Sequence, residues 1–259
     1  MSVTFDFDGS VVLVTGGTRG VGRGIAQRFA DASATVVVCA RNKVDDFPDD
    51  WTFLSVDVRD GDAAWSMIDT VVEQFGHLDV LVNNAGGAPP ADTTTAPPRF
   101  SERVVALNLL AAVYCSQRAN YWMQQAAGGS IVNISSVSGL RPSPTSALYS
   151  AAKAGLVNFT MTAAMEWAPK VRVNAVSVGL IRTEQAHLFY GDEEGIARVS
   201  ATIPMGRMAE PRDVGDACLF LASPLASYVS GANLLAHGGG EPPPYLEAAA
   251  PTQPPNRRQ

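Results

Sequence analysis

Short apolar runs alternate with longer stretches of helical periodicity along the 259 residues of this chain. Val11–Val14, Thr35–Cys39, Thr52–Val56, Val80–Val82, Ser130–Ile134, Arg172–Val176 and Asn233–Ala236 predict strands. The first of these is apolar at every position, as a strand buried on both faces is. Between the runs, Val21–Asp31, Asp62–Phe75, Arg99–Gln125, Ala147–Trp167 and Pro211–Ala222 predict helices. This alternation predicts an α/β fold, a parallel sheet covered on both faces. Two of the helices, Arg99–Gln125 and Ala147–Trp167, carry apolar residues on nearly every side, Val113, Tyr114, Tyr121, Trp122, Met161 and Met165 among them. A helix apolar all round is buried all round. These two therefore predict pairing with their own copies across a two-fold axis, giving a homodimer, or a tetramer with the last strand at a second interface.

Composition narrows the class. Hydrophobic residues make up 46% and charged residues 17%, enough for one large core and one domain over residues 1–240. From Glu241 the chain turns Pro-rich, which predicts a mobile tail over 241–259. Residues Met1 to Gly9 do not read as a signal peptide, and no run is long and apolar enough to span a membrane. A net charge of −6 gives no electrostatic footprint for nucleic acid. Cys39, Cys115 and Cys218 lie unpaired in apolar segments, which fits free thiols in a reducing cytoplasm. No histidine has a metal-like partner, so no metal site is expected.

Two segments carry chemistry. In Val14-Thr15-Gly16-Gly17-Thr18-Arg19-Gly20-Val21-Gly22, a strand runs through a glycine turn into a helix. Backbone N–H groups and the positive end of the helix then face one spot, which suits a diphosphate. In Tyr149-Ser150-Ala151-Ala152-Lys153, the phenol and the ammonium share a helix face. A free tyrosine ionises near pH 10, too high for ready proton exchange at neutrality, and a nearby cation lowers that value. Ser136 stands at the tip of a predicted strand, where its hydroxyl could aim at the same substrate oxygen.

Gly16, Gly20, Gly22, Asn83-Asn84-Ala85-Gly86, Asn108, Ser136, Tyr149 and Lys153, in this order, resemble the short-chain dehydrogenases/reductases. The likeness runs from about Val11 to Gly240 and implies a Rossmann-type doubly wound, mostly parallel seven-stranded sheet. It implies an oxidoreductase that interconverts a ketone and a secondary alcohol by hydride transfer. Ser136 would hold the substrate oxygen, Tyr149 would pass the proton, and Lys153 would lower the tyrosine pKa and hold the nicotinamide ribose. Asn108 would kink its helix and hold a water leading to Lys153. The cofactor would meet Gly16, Thr18, Arg19, Gly20, Val21, Gly22, Arg41, Asp57, Val58, Asn84, Ala85, Gly86, Gly179, Ile181 and Thr183, besides Tyr149 and Lys153. One departure is Val178-Gly179, where the family has Pro-Gly beside the nicotinamide.

Cofactor choice turns on the end of the second strand. A carboxylate there accepts the ribose 2′-OH of NAD, whereas a 2′-phosphate calls for arginine. This chain has Ala40, then Arg41, with Arg19 as a second cation, so NADP(H) is favoured and NAD(H) is the alternative. The substrate is expected to be a small carbonyl or alcohol, with Leu188, Phe189 and Tyr190 suggesting an apolar lining. Two other readings stay open: an NAD-dependent alcohol dehydrogenase, and a non-catalytic dinucleotide-binding sensor or scaffold.

Overall fold

The computed structural model describes residues 4–242. The expected mobile tail therefore lies, from residue 243 on, outside the described residues. Seven strands form one fully parallel sheet: β1 (Val11–Thr15), β2 (Thr35–Ala40), β3 (Thr52–Ser55), β4 (Val80–Asn83), β5 (Gly129–Ser136), β6 (Val171–Val178) and β7 (Asn233–Ala236). Their order across the sheet is β3-β2-β1-β4-β5-β6-β7. The direction of winding therefore reverses between β1 and β4, where a doubly wound sheet opens its ligand crevice.

Strict alternation along β1 shows why the strand is apolar throughout. Val12 and Val14 pack on one face with Ile25 and Phe29 of α1 (Gly20–Asp31) and Val214 and Leu219 of α8 (Pro211–Ala222). Val11 and Leu13 pack on the other with Ile68 of α2 (Gly61–Phe75), Met123 of α4 (Ala111–Gln125) and Ala163 of α5 (Ala147–Trp167). Two cores, one per face, leave no polar side to the strand.

The expected helix Arg99–Gln125 is interrupted. It runs as α3 (Pro98–Val105), a π-turn at Ala106–Leu110, then α4. Asn108 sits in the π-turn and is 1% exposed; its Nδ2 donates to Val104 O at 2.9 Å, a carbonyl in the preceding turn. Two elements went unforeseen, the short α6 (His187–Tyr190) and α7 (Glu193–Ala201), the latter capped by Asp192 on Gly195 N at 2.9 Å. β5 and β6 are longer than expected because they pair with each other over their full lengths, Gly129 with Val171 through Ser136 with Val178. The Val178 departure leaves that strand intact: Val178 pairs with Ser136 and Ala236, and Gly179 N donates to Ala236 O at 3.0 Å.

The all-round apolar helices find part of their cover within the chain. Trp122 donates its indole N–H to Asp69 of α2 at 2.7 Å, and Tyr114 packs into the same core. Tyr121, Met161 and Met165 remain exposed, Met165 to 84%. The three cysteines are free and buried, and burial pushes the Cys39 thiol up to about 12 and the other two higher than an ordinary thiol. Among the described residues, no helix is long and apolar enough to cross a membrane, and no three His, Cys, Asp or Glu side chains gather as metal ligands.

Candidate active site

A cleft of about 400 Å³ opens over the C-terminal ends of β1, β4, β5 and β6. Its walls include Gly16, Arg19, Gly20, Val21 and Gly22 from the first turn, Asn84, Ala85 and Gly86 from the turn after β4, Ser136, Tyr149 and Lys153, and Gly179, Ile181 and Thr183 after β6. Segments more than a hundred residues apart in the chain thus converge on one space.

The two turns at the winding reversal are stitched together. Thr15 Oγ1 accepts from the N–H groups of Asn84 and Ala85, each at 3.0 Å, and Asn84 Nδ2 donates to Thr15 O at 2.9 Å. Gly22 lies so close beneath this seam that a methyl group there would stand 2.3 Å from Gly16 O and 2.4 Å from Asn84 Nδ2. Only glycine fits, and the N-terminus of α1 is held open toward the cleft. That helix begins at N-cap Arg19 with no cap from its own neighbourhood and no acid in its first turn.

Ser136 ends β5 and is 8% exposed, with its Oγ accepting from Ser138 N at 3.2 Å. Tyr149 stands near the start of α5, and Lys153, one turn on, is 3% exposed. The Lys153 ammonium donates to Ile134 O at 2.8 Å and lies 5.7 Å from the centre of the Tyr149 ring. Ser135 Oγ donates to Lys153 O at 3.1 Å, pinning this turn of the helix to the end of β5. Asn108 and Lys153 both reach the Cβ side of Gly86. A methyl on Gly86 would stand 2.9 Å from Asn108 Oδ1 and 3.2 Å from Lys153 Nζ. The Asn108 amide also embraces Gly87, accepting from its N–H at 2.7 Å and donating to its C=O at 3.0 Å.

Burial sets the proton affinities. It depresses the Lys153 ammonium to about 8. Burial also raises the Tyr149 phenol, against an opposing pull from the Ser136 hydroxyl. The net position of the tyrosine is above its ordinary value, so the lowering expected from Lys153 does not prevail over burial. The reason is desolvation: it penalises the phenolate and the ammonium alike.

Several sequence-derived residues stand outside the cleft walls. Thr18 is buried in the glycine turn and lines an adjoining basin with Arg19, Gly20, Arg23 and Glu184. Arg41 follows β2, and its C=O accepts from Ser55 Oγ at 3.0 Å. The Asp57 carboxylate is held by Arg59, whose Nε donates at 2.9 and 3.1 Å and whose Nη2 makes a further contact. That bond, with a smaller contribution from Arg41, lowers its pKa. Val58 is buried in the core, so only its backbone is free to meet a ligand. The expected apolar lining is not seen: Leu188 and Phe189 are 68% and 61% exposed, and only Tyr190 packs inward.

A family model described as enoyl-(acyl carrier protein) reductase matches residues 16–241 of this chain. A solved structure described as a short-chain alcohol dehydrogenase from Sinorhizobium meliloti superposes with a TM-score of 0.85 at 36% identity, covering 92% of this chain and 98% of that one. The chain belongs to the short-chain dehydrogenase/reductase family. Its relatives include the 3alpha-hydroxysteroid dehydrogenase of Mediterraneibacter gnavus, 35% identical over 88% of this chain and 95% of the relative. Another is the 3-oxoacyl-[acyl-carrier-protein] reductase of Vibrio cholerae, 32% identical over 90% and 98%. The protein is accordingly an oxidoreductase acting between CH–OH and C=O groups, in a family that uses NAD(P)(H).

Sequence reasoning missed four contributors to this member's cleft. Ile134 supplies the carbonyl that binds Lys153, Thr15 stitches the two turns, Ser135 braces α5, and Glu184 reaches Gly20 N at 3.1 Å. Each acts across the fold, so no local spacing announces it. The one available signal was negative: α1 lacks an acid of its own at its first turn.

Proposed function

We propose that this protein interconverts a ketone and a secondary alcohol with Tyr149 as acid/base and NADP(H) as the preferred cofactor. The observation that carries the reading is the convergence of Ser136, Tyr149 and Lys153 with the Gly16–Gly22 turn on one cleft. The turn fits a dinucleotide: Gly22 packs tightly against Gly16 O and Asn84 Nδ2 beneath it, which leaves the N-terminus of α1, with no acid in its first turn, facing the cleft. When bound, the cofactor supplies or accepts the hydride. Gly16, Thr18, Gly20, Val21, Gly22, Asn84, Ala85 and Gly86 would line its path, and Gly179, Ile181 and Thr183 would flank the nicotinamide end. The backbone at Val58 would face the adenine, and Asp57 would meet it while still shared with Arg59.

Around the reacting oxygen, Ser136 and Tyr149 both offer O–H donors to a ketone oxygen. In reduction Tyr149 gives its proton as charge builds on that oxygen; in oxidation its oxygen takes the proton back. With a pKa near 8, Lys153 is still mostly protonated at pH 7, so its ammonium favours a transient phenolate. Asn108 Oδ1 and Lys153 Nζ approach one point beside Gly86, where a bridging water would restore the proton from solvent.

Preference for NADP(H) is supported by Arg41 and Arg19, both exposed and neither in an ion pair among the described residues, and by Ala40 where an acid would select NAD. Fluorescence titration with NADPH and NADH tests this: tighter NADPH binding is expected, and tighter NADH binding contradicts it. We propose further that the substrate is a small carbonyl or alcohol, and that the exposed faces of α4 and α5 join copies of the chain.

A further inference from the structure

Glu184 stands apart from the proposed chemistry. Its Oε1 accepts from the backbone N–H of Gly20, the first residue of α1, at 3.1 Å, across 164 residues of chain. Thr183 packs beside it, its Cγ2 3.6 Å from where a Gly20 methyl would be. The acid lines both the cleft above the strands and the adjoining basin with Arg19 and Arg23, so it stands where the two meet.

Other helices are closed by acids from their own turns. Asp60 caps α2 through Ala63 N at 3.1 Å, Asp192 caps α7, and Glu210 and Asp213 box the start of α8. The α1 terminus has no such residue and takes its carboxylate from the loop after β6. The Glu184 side chain is exposed, whereas Ala186 two residues on is 3% exposed and packs with Ile196, Ile203 and Met208. The loop is thus anchored while its acid can swing clear.

We infer that Glu184 is an internal anion that holds the diphosphate seat in the empty enzyme and must leave when the cofactor enters, so that it sets cofactor affinity. The inference rests on reading the Gly16–Gly22 turn as the cofactor cradle. A carboxylate on the Gly20 N–H and a cofactor phosphate compete for the same helix end, and each repels the other. Releasing the acid is a cost that every binding event meets, lowering apparent affinity by the fraction of empty enzyme it holds shut.

The test is the dissociation constant of NADPH, by fluorescence, for wild type, Glu184→Gln and Glu184→Ala, with adenosine 2′-monophosphate as a probe that lacks the diphosphate. Both variants should bind NADPH about two- to fivefold more tightly, the scale of one charge at a helix end. Adenosine 2′-monophosphate should bind all three proteins alike. Unchanged or weaker NADPH binding by the variants overturns the inference, as does equal tightening for the nucleotide without a diphosphate. Wild-type protein that takes up neither NADPH nor NADH overturns the cradle itself, and the inference with it.

Discussion

Lys153 is the residue whose burial has the clearest thermodynamic consequence. Its ammonium is depressed from 10.5 to about 8 by desolvation. Between those values the unfolded chain binds a proton that the folded one does not, so the lysine's contribution to stability rises with pH across that window. Replacing it by methionine removes this dependence. The difference in unfolding free energy, Lys153→Met minus wild type, should fall by about 1 kcal/mol per pH unit between roughly pH 8 and 10, measured by denaturant unfolding. A pH-independent difference would mean that Lys153 titrates as an ordinary exposed lysine. Turnover should be lost in the same variant, since the ammonium also serves the tyrosine. At the cofactor's other end, Arg41→Ala should weaken NADPH binding about tenfold or more and NADH binding hardly at all, as befits loss of one charge-assisted contact to a phosphate. Equal losses for both would make Arg41 structural.

Among the elements, the seam between α2 and α4 shows how a helix with no clean polar face is settled. Asp69 accepts from Arg118 Nε and Nη2 at 2.6 and 2.9 Å and from the Trp122 indole at 2.7 Å, while the guanidinium stacks 4.7 Å from the Tyr121 ring centre. Asp69→Ala strands all these donors and should cost about 2 kcal/mol, visible as a lower Tm; an unchanged Tm would show that the seam holds by apolar contact alone. The strands, the glycine turn and the Tyr149–Lys153 pair were legible in the sequence because each is local. Burial on two faces writes a continuous apolar run, and helical spacing writes a shared face. The π-turn at Ala106–Leu110 was not legible in the same way, for it adds one residue to a turn without interrupting the apolar pattern. The segment 183–201 misled for a different reason. Leu188, Phe189 and Tyr190 are consecutive, so a four-residue helix cannot turn all three inward, and it buries only the last. Glu184 on Gly20 and Lys153 on Ile134 pair residues that only the sheet's winding brings together.

For the whole molecule, the exposed Tyr121, Met161 and Met165 on α4 and α5 leave an apolar surface whose natural cover is a second copy across a two-fold axis. Light scattering at micromolar concentration should give a mass of two or four times 27.3 kDa, and a mass near 27.3 kDa would refute the assembly. The catalysis proposed for this protein depends on the cleft in which Ser136, Tyr149 and Lys153 meet the glycine turn. Its most direct test is steady-state turnover of Tyr149→Phe beside wild type, with NADPH or NADP and a panel of ketones and secondary alcohols, alongside the NADPH dissociation constant of each. Wild type should turn over at least one pair, and the variant should lose about 10²- to 10⁴-fold of that rate with its NADPH affinity intact, the usual worth of a positioned acid/base group. Turnover by the phenylalanine variant at the wild-type rate would contradict the assignment.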